Sequence, residues 1–157
     1  MLDRYLKILA ESLEKKSTVL GQIEELSRKQ SELIVANASL EDIGANMEEK
    51  DKLITELIKL DDGFDAMYEN IKSELLTHKD EYAEQIRVIQ NLIGKVMEKS
   101  AMIEAVEARN KASMDLRFSN ERKALNQKRS ASTAAYDYYK VSSKLTAVTP
   151  KFLDKKK

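Results

Sequence analysis

The chain carries a single proline, Pro150, and four glycines, so almost nothing along it forces a helix to stop. Proline removes a backbone donor and clashes with the preceding turn, and glycine weakens a helix by about 1 kcal/mol against alanine. A sequence this poor in both is free to form very long helices and is ill suited to a sheet protein with many turns. The apolar residues follow that lead. Leu6, Leu9, Leu13, Lys16, Leu20, Ile23, Ser27, Gln30 and Ile34 are spaced in alternating steps of three and four, a heptad seam in which six of nine positions are apolar. Lys16, Ser27 and Gln30 stand in it as defects, and Leu26 and Leu33 widen the stripe beside them. Gly21 falls within the helix. Glu11 with Lys15, Glu24 with Arg28 and Glu25 with Lys29 place acid before base at i,i+4 on the outer face. The first helix is expected from about Leu2 to Ala36.

Asn37-Ala38-Ser39 interrupts the pattern, and Ser39 with Asp42 resembles an N-cap and its third helical residue. Leu40, Ile43, Met47, Lys50, Ile54, Leu57, Asp61 and Phe64 then resume the spacing. Asp61-Asp62-Gly63 contains a turn signal. Yet Phe64, Met67, Tyr68, Ile71 and Leu75 continue in helical phase, which predicts an unbroken helix through that point. A second connection is expected at Thr77-His78-Lys79, with Thr77 and Asp80 as cap and partner. Tyr82, Ile86, Ile89, Ile93, Val96, Ser100 and Ile103 mark a third helix from about Asp80 to Asn126. After Ser100 its stripe thins to Val106, Met114, Leu116, Phe118 and Leu125. Helices of this length span about 55 to 70 Å, and short connections make sequential neighbours antiparallel. The expected fold is all-α: an elongated antiparallel three-helix hairpin or bundle with coiled-coil-like packing, over residues 1–126. Residues 127–157 are expected to form a basic, Tyr-containing, mobile and partly disordered C-terminal tail. It holds eight basic residues against two acids, Asp137 and Asp154.

Low aromatic content (6%, with no Trp) fits long narrow seams filled by Leu, Ile, Val, Met and Ala. Twenty-seven basic and 27 acidic residues cancel, so no global charge draws the chain to nucleic acid or to an acidic membrane. No cysteine is present, which excludes disulfides and thiolate metal sites and fits a reducing, cytoplasmic setting. Charges at Asp3 and Arg4 break any signal-type apolar stretch, and no run of apolar residues is long enough to cross a membrane. His78 is the only histidine and falls in a helix connection. There is no Gly-x-Ser-x-Gly elbow and no phosphate-cradling glycine loop. Glu48-Glu49 and Asp61-Asp62 read as solvated faces, because a bundle-type di-metal centre needs more histidines than one. The chain is therefore expected to be non-enzymatic, with no cofactor and no metal.

Met47, Met67, Met97, Met102 and Met114 lie on or beside the stripe, where core packing is the ordinary role; Met102 and Met114 sit where the seam loosens and could serve an adaptable binding groove. Ala134-Ala135-Tyr136-Asp137-Tyr138-Tyr139-Lys140 gathers three tyrosines, a residue type that anchors interfaces. They either dock a partner or fold back on the bundle.

The order of these parts resembles the FlgN-type flagellar export chaperones. The resemblance rests on Leu2-Asp3-Arg4-Tyr5-Leu6-Lys7-Ile8-Leu9 running on to Ser12-Leu13-Glu14-Lys15-Lys16, on the helix entering at Ser39-Leu40-Glu41-Asp42, and on the stretch from Glu107-Ala108-Arg109-Asn110 to the tyrosine tail. It implies a cytoplasmic chaperone of bacterial flagellum biogenesis and type III export. Such a protein would hold the helical end of hook-filament junction proteins of the FlgK/FlgL type and keep them unassembled before secretion. Its later helix and tail would bind that client and touch an export-gate component, with no nucleic acid and no membrane insertion involved. Ile103, Val106, Met114, Leu116 and Phe118, left poorly paired by the thinned seam, would take the foreign helix together with Met102, Tyr136, Tyr138 and Tyr139. A FliT-type chaperone, with the filament cap as client, shares these features. A self-associating coiled-coil spacer is the competing reading from a different class.

Overall fold

A computed structural model describes residues 1–120, all three elements of which are helices: α1 (Leu2–Val35), α2 (Leu40–Thr77) and α3 (Ala83–Asn120). The tail over 127–157, and the expected extension of the third helix to Asn126, lie outside the described residues. α2 runs unbroken through Asp61-Asp62-Gly63, as the helical phase of the flanking apolar residues requires.

Both connections are closed by local hydrogen bonds. After α1, Asn37 adopts φ 53°, the left-handed conformation that Asn tolerates better than most residues. Its N–H donates to the Ile34 carbonyl (3.1 Å), and the Ala38 N–H donates to the Leu33 carbonyl (2.9 Å), which together satisfy two orphan acceptors at the helix end. Ser39 then caps α2, its hydroxyl accepting from the Asp42 N–H at 3.1 Å. The second connection corrects an expectation. Thr77 does not cap α3; its hydroxyl donates back to the Ser73 carbonyl (3.0 Å) as the last residue of α2. A tight turn through His78 follows, and α3 begins at Ala83 rather than Asp80.

The helices do not contribute equally. α1 packs along both α2 and α3, whereas the backbones of α2 and α3 rarely approach each other. α1 is thus the common partner. Its polar contacts with α3 fix the direction: Asp3 meets Gln85, Ser17 meets Lys99, Ser27 meets Glu107 and Ser31 meets Asn110. Sequence number rises together on both helices, so α1 and α3 are parallel, and α2 returns between their ends. Lys16 meets Asp61 and Gln30 meets Lys50, as the antiparallel α1–α2 pair demands.

The main core fills the end where α1 and α3 begin. Leu2, Leu6, Leu9, Leu13, Leu20 and Ile23 of α1 meet Ile54, Leu57, Tyr68, Ile71 and Leu75 of α2 and Ile86, Ile89, Ile93, Val96 and Ile103 of α3. Each such side chain contributes about 1.5–3 kcal/mol by leaving water. A second, much smaller cluster lies at the opposite end: Ile43, Met47 and Met114, with Leu33, Ile34, Ala38 and Leu40 packed against it.

Candidate partner-binding site

Between the two apolar clusters lies a buried polar layer built from all three helices. The Lys50 ammonium is 2.6 Å from Glu107 Oε1, with side chains only 2% and 5% exposed. The ammonium also donates to Gln30 Oε1. The Ser27 hydroxyl donates to the same Glu107 oxygen at 2.5 Å. Asn110 Nδ2 donates to the Ser27 carbonyl at 3.0 Å, and the Ser31 hydroxyl donates to Asn110 Oδ1 at 2.6 Å. Burial holds the Lys50 pKa below its ordinary value, and the Glu107 carboxylate opposes that shift. A second polar bridge crosses the α1–α2 seam, with the Lys16 ammonium 2.5 Å from Asp61 Oδ1. Lys16, Ser27 and Gln30, which read as seam defects, are therefore matched to the polar seam positions Asp61, Glu107 and Lys50. Lys16 supplies a counter-charge to Asp61, and Ser27 and Gln30 add hydrogen bonds to the Glu107–Lys50 pair.

The residues singled out from the sequence as partner-binding fall into four groups. Ile103 and Met114 are buried at 0% and 1% exposure, so the expectation that they are poorly paired within the bundle is corrected. Ile103 closes the main core, and Met114 is the α3 contribution to the small cluster. Val106 is half-buried. Met102 and Leu116 are 56% and 72% exposed on the outer side of α3. Phe118 belongs to the last turns of α3, but its side chain lies outside the described residues, as do Tyr136, Tyr138 and Tyr139.

Met102 and Leu116 are part of a longer line that sequence reading missed. Val88, Lys95, Met102, Arg109 and Leu116 follow one another at steps of seven and are all exposed. Ala101, Ala105, Ala108 and Ala112 lie exposed in the same region. The heptad period carried the signal, but it had been applied only to the inward seam. Such a surface can take an amphipathic helix: the alanines permit close approach, and the two large side chains supply apolar anchors. Among the described residues no cluster of three His, Cys, Asp or Glu could hold a metal ion. His78 is exposed, with Nδ1 3.0 Å from its own helix's Glu74 carbonyl. Among the same residues no helix is long and apolar enough to cross a membrane. Compared with protein-family models, curated proteins and solved structures, the chain matches none of them.

Proposed function

We propose that this protein is a cytoplasmic, non-enzymatic export chaperone of the FlgN type. It binds the helical end of a hook-filament junction subunit of the FlgK/FlgL type and keeps it unassembled before type III secretion. The observation that carries the reading is the exposure of Met102 and Leu116, with alanines around them, on a helix whose opposite face is already committed to α1. A partner helix laid along this face would cover both side chains and the alanines beside them. The tyrosine tail completes the same proposal, as a further client anchor and as the contact with an export-gate component.

The self-associating spacer fits this face less well. Two copies meeting along it would bring Lys95 and Arg109 of each toward the same seam, where like charges oppose pairing. The test is a pull-down from a flagellated cell lysate with the full chain and with a version ending at Gln127. Recovery of a hook-junction subunit by the full chain supports the proposal. Its loss on truncation would assign binding to the tail, and recovery of the protein itself alone would favour the spacer.

A further inference from the structure

The last third of α3 is held by unusual means. Between Ala83 and Ile103 the helix buries Ile86, Ile89, Ile93, Val96 and Ile103. Over residues 104–120 its buried side chains are Glu107, Asn110 and Met114 among those described, two polar groups and one methionine. The polar pair keeps the register, but a buried ion pair adds little net stability over solvated charges. The hydrophobic anchoring of this stretch therefore rests on Met114. The surface beneath it is far more apolar than the stretch that covers it. Ile43 and Met47 are buried there, and Leu33, Ile34 and Leu40 are packed around them. At the inner edge of that apolar floor, in the polar layer, stands the Lys50 ammonium, reached by Glu107 from α3 and by Gln30 from α1.

We propose that residues 104–120 form a releasable arm, and that the site they vacate takes a partner helix which presents a carboxylate to Lys50 in place of Glu107. The occupant follows from what would be left behind. A buried cation demands a carboxylate, because an apolar partner would strand the charge. The arm itself shows the pattern the floor accepts, an acid followed seven residues later by an apolar side chain, Glu107 then Met114. The depressed pKa of Lys50 agrees with a charge that burial disfavours and that only a carboxylate neighbour retains. This inference goes beyond the chaperone reading, since the site lies on the inner side of α3 and not on the Met102–Leu116 face, and its test uses no client.

Two measurements on the full chain decide it. Amide hydrogen exchange should be at least about tenfold faster over residues 104–120 than over residues 86–103. Equal protection would overturn the arm. The second uses a labelled synthetic peptide with the sequence of residues 100–120 as the partner helix. It is titrated into the full chain carrying Met114→Asp, whose own arm is loosened. The peptide should bind, and a Glu107→Gln peptide should bind roughly tenfold more weakly. That preference should fall below about twofold when Lys50→Met is added to the protein. Failure of both peptides to bind, or equal affinity of the two, would overturn the carboxylate requirement. Success here with a negative pull-down would remove the flagellar client while leaving the site.

Discussion

Removing Glu107 alone should cost far more than removing it together with Lys50. In Glu107→Leu the Lys50 ammonium, 2% exposed, keeps Gln30 as a neighbour but loses its counter-charge at 2.6 Å. Stranding one partner of a buried pair costs about 3–5 kcal/mol when the surroundings cannot relax. Here they can, because lifting residues 104–120 would hydrate the ammonium. That escape forfeits the burial of Met114, worth about 1.5–3 kcal/mol, and the hydrogen bonds of Asn110, worth about 1 kcal/mol each. That escape costs about 3.5–5 kcal/mol, no less than stranding the charge, so the loss should fall at about 3–5 kcal/mol by either route. Lys50→Met with Glu107→Leu leaves no charge to hydrate and should return to within about 1 kcal/mol of the parent or exceed it. Urea titrations followed by far-UV circular dichroism give all four corners of the cycle. If the double variant is as unstable as the single one, shape rather than charge governs the layer and the reasoning fails. If Glu107→Leu costs less than about 0.5 kcal/mol, the pair is not buried in solution.

Other consequences follow from neighbouring positions. Leu57 is fully buried and Ile58, the next residue, is 44% exposed; Leu57→Ala should cost about 2–5 kcal/mol and Ile58→Ala under about 1, read from denaturation midpoints. Asn37 holds φ 53°, so Asn37→Val should cost about 1–2 kcal/mol through backbone strain at the turn, and Asn37→Gly should be close to neutral. Burial, and after it the charge of Asp61, raises the Asp65 carboxyl above its usual 3.8. Its ionised form is disfavoured in the folded state, a penalty present above the folded pKa and relieved as pH falls toward 3.8. Asp65→Asn should therefore stabilise the protein at neutral pH, by roughly a few tenths of a kcal/mol given its partial exposure, and the gain should vanish in acid melts below 3.8.

Helix number, the Ser39 cap and the continuity of α2 through Gly63 were legible because each depends on neighbours within a few residues. The second connection was misread for the same reason. Thr77 and Asp80 have the right spacing for a cap, but spacing does not tell whether Thr77 ends one helix or starts another, and its hydroxyl turned back to Ser73. The polar seam positions were placed by spacing but understood wrongly, and Asp61, read with Asp62 as a solvated face, is buried against Lys16. Periodicity places Lys16, Gln30, Lys50 and Asp61 on inward faces, whereas their pairing depends on the register between helices, which no single stripe contains. The thinned stripe of α3 misled about Ile103 and Met114 for a related reason. Few apolar residues along a helix signal weak attachment, not exposure, and both side chains found places in cores that α1 and α2 largely supply. Met102 and Leu116 were named on the same grounds and are exposed, because they lie off the inward face.

The chaperone reading is tested most directly by titrating a purified hook-filament junction subunit into the full chain and into the variant Met102→Asp/Leu116→Asp. Both positions are exposed, so the variant should melt like the parent. The proposal predicts saturable binding by the parent and a loss of at least about tenfold in the variant, as truncating two interface anchors should produce. Equal binding by both proteins, or no binding by either, would contradict it.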